Sequence, residues 1–274
     1  MLNSITIGII VVLGLLIGSF LNVCIYRIPK HENITTTRSH CTSCGNVIKW
    51  YDLLPILSYI LLKGKCRSCK AKLSAQYPIV ELLNGLLYCL IAVVSGISVQ
   101  SVLIMALTST LIVIAVIDWR TYEIPFGLNV FIAVLGVLSA AFDLLKTHGM
   151  WDYSLEENSA KGAFFSWQPM TLTDHIIGAV CVSGFLLILY FATKGRGIGG
   201  GDIKLMAAAG LLLGWKNCIL AFVIGCVLGS VIHLIRMRVS KQDHVLAFGP
   251  YLAAGIFLAS LWGDRIVNAY LSAF

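Results

Sequence analysis

The chain has 274 residues, 58% of them hydrophobic and 12% charged, with a formal net charge of +7 and a mean hydropathy of +0.87. A soluble domain carries about 25% charged residues, so an ordinary soluble protein is excluded; repeated apolar runs near twenty residues point to an all-α polytopic membrane protein. The positive charge is gathered in particular loops, which argues for membrane orientation rather than nucleic-acid binding, and no basic stripe with stacking aromatics is present.

Residues 1–26 read as the first transmembrane helix. They have no basic n-region and no small-residue cleavage site, and Arg27 and Lys30 follow the run, as in a retained helix whose C-terminus is cytoplasmic. Gly14 and Gly18 give it one small face for close packing, and Asn22 needs a polar partner.

Residues 27–78 form a polar segment with nine of the twenty Lys and Arg against Glu32 and Asp52, placed in the cytoplasm by the charge rule. Within it, Cys41/Cys44 and Cys66/Cys69 form two CxxC pairs separated by 21 residues. Each pair turns two thiolates toward one point, and two such turns complete a tetrahedral four-thiolate site. A structural Zn2+ is expected, with disulfides or a redox pair as alternatives that a reducing compartment disfavours. Gly45 suits a left-handed knuckle position, and Lys and Arg around the second pair favour thiolate. The other five cysteines lie in apolar runs and read as small hydrophobes. Between the pairs, residues 50–62 are too short and Pro-broken to span, and read as an interfacial platform on the membrane.

Seven further spans are expected, making about eight in all, within a core at 79–274. The second starts after Tyr77-Pro78 and carries Glu81, either a helix-start acid or a substrate or cofactor contact. The third ends at Asp118; the fourth begins near Pro125. Residues 146–172 are acidic and external by the charge rule, and the fifth span follows from about Asp174. The loop Gly197-Ile198-Gly199-Gly200-Gly201-Asp202-Ile203-Lys204 then interrupts the apolar sequence: its glycines admit close backbone approach, and Asp202 either caps the next helix or serves function. A short sixth span (Ile203–Leu213) sinks into the bundle, a seventh ends at Arg236, and the last carries Pro250 as an expected kink.

This map puts Asp118 and Asp202 at one membrane face and at similar depth. Two carboxylates meeting in a low-dielectric site share a proton and activate a water for attack on an amide carbonyl. No HExxH or Ser/His/Asp pattern competes with that chemistry, and Lys204 reads as a solvated interface lysine or a group that tunes the pair or binds a substrate acid.

Four groups of residues, in order, resemble the type IV prepilin peptidases, membrane aspartyl proteases of the GxGD class. They are Gly18-Ser19-Phe20-Leu21-Asn22-Val23 with Ile25-Tyr26-Arg27, the tetracysteine segment ending in Tyr77-Pro78 and Glu81-Leu82, Asp118 with Ile124-Pro125, and Gly199-Gly200-Gly201-Asp202-Ile203-Lys204. The resemblance implies a bacterial plasma-membrane enzyme that cuts the basic leader from prepilins and pseudopilins at the cytoplasmic face. It also implies methylation of the new N-terminal residue with S-adenosylmethionine. Asp118 and Asp202 would be the catalytic pair, Gly199 and Gly201 would shape the loop, and Cys41, Cys44, Cys66 and Cys69 would bind zinc. The chain departs from the family in having Phe126 where an Asp often follows Ile-Pro, and in its longer 146–172 loop. The rival reading is a cation-coupled transporter with the two aspartates as ion ligands.

Overall fold

The computed structural model describes residues 3–147, 170–195, 197–239 and 247–273. The expected external loop therefore lies almost wholly outside the described residues. Those that are described form helices, turns and two isolated β-bridges, and divide into two compact units, Met1–Val93 and Val94–Phe274.

The first unit contains α1 (Ser4–Arg27), the knuckle segment with the short α2 (Leu57–Leu61), and α3 (Gln76–Ser95). The small face of α1 meets α3 backbone to backbone: a Cβ on Gly14 would come within 2.8 Å of Gly85 Cα, and one on Gly18 within 2.7 Å of Glu81 Cα. Helices in lipid gain no hydrophobic drive from association, so such close approach supplies dispersion contact instead. Polar side chains add to it. Asn22 Nδ2 donates to the carbonyl of Tyr77 (3.1 Å), and Asn84 Nδ2 donates to that of Gly14 (2.7 Å). Buried Arg27 closes the end of α1 by donating to the carbonyls of Asn33 and Ile34.

The second unit contains α4 (Val99–Thr121), α5 (Phe126–Thr147), α6 (Leu172–Ala192), α7 (Gly200–Val239) and α8 (Gly249–Leu271). A straight helix of 40 residues would reach about 60 Å, twice the hydrocarbon thickness. Gly214 prevents that: its φ of 72° and ψ of 171° break α7 into two arms. The arms run back along each other, since Cys218 Sγ lies 3.7 Å from the carbonyl of Met206 and a Cβ on Gly210 would fall 3.0 Å from that sulfur. The first arm buries Leu205, Met206, Ala209 and Leu212 completely or nearly so, as a short span sunk in a bundle should. Leu107, Ile114, Ile132, Leu186, Leu252 and Ile256 close the core around it.

Six helices among the described residues, α1 and α3 to α7, are long and apolar enough to cross a membrane. The expected sixth and seventh spans are the two arms of α7, and the expected eighth is α8, which is not among those six. Pro250 does not kink α8: it occupies the first turn, where its missing N–H leaves no bond unmade.

A buried polar group unforeseen in the sequence fastens the far end of this unit. His175 Nε2 lies 3.3 Å from Asp143 Oδ2, Gln100 Nε2 donates to Asp143 Oδ1 (3.3 Å), and His175 Nδ1 is 2.7 Å from the carbonyl of Leu211. Four helices, α4 to α7, thereby meet through ionisable or amide groups that hydrocarbon would penalise if left alone.

Candidate active site and metal centre

Asp118 stands near the end of α4, where Tyr122 in the left-handed region (φ 56°) stops the helix and turns the chain into Ile124-Pro125. Asp202 stands on the first turn of α7. Both are buried. The carboxylate of Asp202 reaches back to Gly199, the residue just before the helix, as an acid on a first turn does. Asp118 is held by a different helix start: the Gly249 N–H donates to its Oδ2 at 2.9 Å. Each carboxylate thus lies at a helix N-terminus, where the dipole favours negative charge. The two are near enough for Asp118 to act electrostatically on Asp202.

The glycine loop explains its own spacing. A Cβ on Gly199 would stand 3.0 Å from Asp202 Oδ2, and one on Gly201 would stand 3.0 Å from Ile124 Cβ, six residues after Asp118. A Cβ on Gly200 would meet nothing within 4 Å. Gly199 keeps room for the carboxylate and Gly201 lets the α4–α5 turn close on α7, so the residue between them is open. Lys204 points its ammonium over the Phe126 ring (5.3 Å), and Arg236, from the returning arm of α7, lies over Trp119 (4.8 Å). These cationic side chains border the aspartates on aromatic faces.

Sequence reading passed over three groups at this end. Gly249 stands beside Pro250, which the sequence marked only as a kink; its pairing with Asp118, 131 positions away, has no local signal. Asn129 on the first turn of α5 and the Tyr251 hydroxyl on that of α8 are buried and make no hydrogen bond among the described residues.

Glu81 lies in the other unit. Its Oε2 accepts the Ile56 N–H at 2.8 Å, and the Ser19 hydroxyl also bonds to it.

In the same unit the two CxxC turns come together. Cys41, Cys44, Cys66 and Cys69 place their sulfurs within 4.8 Å of one another, with Cys41 and Cys69 3.9 Å apart. A tetrahedral tetrathiolate with metal–sulfur bonds of about 2.3 Å needs sulfurs about 3.8 Å apart, so the donor set fits a metal ion. The knuckles are built alike: Cys41 N–H donates to Asn46 and Gly45 N–H to Cys41, while Cys66 N–H donates to Ala71 and Lys70 N–H to Cys66. Backbone N–H groups of Ser43 and Cys44 aimed at Cys41 lower its thiol to about 6, which favours the ligating thiolate. Arg67 clamps Asp52 with two N–H donors (2.9 and 2.6 Å), tying the intervening segment to the second knuckle and holding the Asp52 carboxyl below the usual carboxylate range.

The knuckles differ at one matching position. Gly45 has φ 72°; its counterpart Lys70 has φ 60°, a conformation costing a side-chain-bearing residue about 1 kcal/mol or more. Lys70→Gly is therefore expected to stabilise the metal-bound knuckle by about 1 kcal/mol, seen as roughly fivefold slower metal release to a chelator.

Two buried aspartates set at helix starts, in a bundle of membrane-length helices, make a candidate acid pair. Residues 105–234 match the type IV leader peptidase family and residues 12–95 the bacterial peptidase A24 N-terminal domain. The chain is similar over most of its length to proteins named prepilin leader peptidase/N-methyltransferase. It is 33% identical to that of Pseudomonas putida (93% of this chain, 90% of the relative) and 33% identical to that of Bacillus subtilis strain 168 (97% and 98%). The Neisseria gonorrhoeae protein of that name is also 33% identical (99% and 96%). No solved structure gives a significant match. The chain belongs to the type IV leader peptidase family and is a multi-pass membrane peptidase. Nothing in the fold or in these similarities favours the transporter alternative.

Proposed function

We propose that the chain cleaves the leader peptides of prepilins or pseudopilins at the cytoplasmic face of the plasma membrane, using Asp118 and Asp202, and then methylates the exposed N-terminus. The observation that carries the catalytic part is the pair of buried carboxylates within electrostatic reach, each backed by backbone at a helix start. The substrate class and second activity follow the names of relatives that align over nearly the whole chain. The cytoplasmic assignment rests on the charge rule, with 27–78 as the metal-binding domain of that face and 79–274 as the protease core.

In this reading one carboxylate removes a proton from a water lying between the two. The hydroxide oxygen attacks the scissile carbonyl carbon while the protonated partner gives its proton to the carbonyl oxygen. The resulting gem-diol collapses, the C–N bond breaks, and the leaving amine takes up a proton from the pair. The Gly249 N–H fixes one oxygen of Asp118 and leaves Oδ1 for the water. Gly199 and Gly201 keep the loop thin enough for an extended peptide. Asn129 and Tyr251 offer buried polar groups to the peptide backbone, and Lys204 is the charged side chain assigned to substrate. Glu81, read from the sequence as a helix-start acid or a substrate or cofactor contact, has its carboxylate taken by the Ile56 N–H and the Ser19 hydroxyl within its own unit. The tetracysteine centre holds Zn2+ structurally, because a closed four-thiolate shell leaves no open position for catalysis. S-adenosylmethionine supplies the methyl group when bound; the described residues show no glycine-rich nucleotide loop for it.

The test uses purified protein in lipid with a prepilin-like peptide, with and without S-adenosylmethionine, read by mass spectrometry. Cleavage after the leader glycine, plus one methyl mass on the mature fragment only when the donor is present, is expected. Intact peptide from folded, metal-loaded protein would overturn the reading. Elemental analysis should find one zinc per chain, lost in Cys41→Ser and Cys66→Ser, because three thiolates cannot close the shell.

A further inference from the structure

The segment between the knuckles turns its apolar side chains outward. Trp50 is 78% exposed, Leu57 60%, Ile60 63% and Leu61 79%. Exposed lysines flank them at positions 49, 63, 65, 70 and 72, and the one acid among them, Asp52, is already paired with Arg67. Large apolar groups beside ammonium groups that have no carboxylate partner among the described residues match a surface that is oily with an anionic rim.

The fold also ties this surface to a membrane-length helix, α3. Leu57 N–H lies 2.5 Å from the carbonyl of Pro55, across Ile56 at φ 59° and ψ −49°; that is a γ-turn of the rare, strained hand. A β-branched residue adopts it only where its surroundings hold it there. Here Glu81 does so, taking the Ile56 N–H at 2.8 Å. Glu81 lies five residues into α3, about 7.5 Å along an axis whose 20 residues measure about 30 Å, the thickness of the hydrocarbon core. An α3 that spans the bilayer would hold the turn near the depth at which interfacial helices rest, about 5–10 Å into the headgroup–acyl boundary.

We propose that residues 50–61 form a wedge seated in the bilayer interface, with the flanking lysines on the phosphates of anionic phospholipids. The competing occupant, the basic leader of the substrate in the function proposed above, would meet like charge on this face. An anionic lipid surface gains with each basic residue brought near it.

The full chain, reconstituted in vesicles, tests this. The Trp50 emission is taken as the difference between the parent and Trp50→Phe. In vesicles with phosphatidylglycerol, brominated acyl chains should quench it at least twofold, and aqueous acrylamide should quench it little. Lys49→Glu with Lys63→Glu, exposed positions not adjacent to any of the four cysteines, should halve the bromolipid effect while zinc content stays unchanged. Trp50 open to acrylamide and untouched by bromolipid would overturn the proposal. Equal bromolipid quenching in pure phosphatidylcholine would overturn the anionic assignment. Protection appearing only when a leader peptide is added would assign the surface to substrate. Because none of these readings uses cleavage, their failure is distinguishable from failure of the proposed function.

Discussion

Asp118→Asn and Asp202→Asn are each expected to lower kcat for leader cleavage by at least about 10³-fold, with the double variant no slower than either single one. An amide neither takes the proton from water nor returns one to the leaving amine, and the pair works as one unit, so the second substitution removes nothing that remains. Both residues are buried with backbone on one side, and Asn keeps nearly the same shape, so the helices around them should persist. Stopped-flow or mass-spectrometric cleavage rates measure the effect. Methyl transfer to a pre-cleaved peptide, measured in the same preparations, should stay within about twofold, because its chemistry needs no activated water. Loss of both activities together would point to collapse of the fold; retention of cleavage in either variant would remove that aspartate from the mechanism.

Gly249→Ala should be the most damaging of the glycine changes beside the two aspartates. An added Cβ would lie 2.7 Å from Asp118 Oδ2 and 2.9 Å from its Cγ, so the carboxylate or the start of α8 must move. Losing or stretching a hydrogen bond to a charged group costs about 1.5–3 kcal/mol, a fall in kcat of about 10- to 150-fold. KM should change by less than about threefold, since the displaced group faces the reacting atoms more than the bound chain. Gly200→Ala is the control: its Cβ meets open space on the same face of the protein, and near-parental kcat is expected. Gly199→Ala and Gly201→Ala, tight against Asp202 and Ile124, should fall between the two. Equal loss at all four glycines would mean that loop flexibility, rather than room beside the carboxylates, is what the spacing protects.

Much of the protein is legible in the chain because its signals are local. Twenty-residue apolar runs have one solution in lipid, so helical class followed from composition, and the short sixth segment was recognisable by its length. The CxxC pairs announce a four-thiolate site because each turn is built from neighbours, and the structure brings the four sulfurs within 4.8 Å. Aspartates at ends of apolar runs stand out because hydrocarbon tolerates them poorly. Asp118 and Asp202 stand out as candidates for that reason.

What the sequence could not decide depends on which helix faces which. Nothing near Gly249 says that its N–H will meet Asp118, and nothing near Ile56 predicts a strained turn held by Glu81; both bonds join residues far apart in the chain. Pro250 read as a kink because a proline in an apolar run breaks a helix, until the structure placed the helix start at Gly249 and left the proline harmless. His175 and Asp143 carried no signal in the sequence, and only packing made them a buried pair. Local patterning chose the helices, the thiolate turns and the candidate acids; tertiary packing alone chose their partners, because a hydrogen bond or a close backbone contact exists only once two distant segments share the same few ångströms.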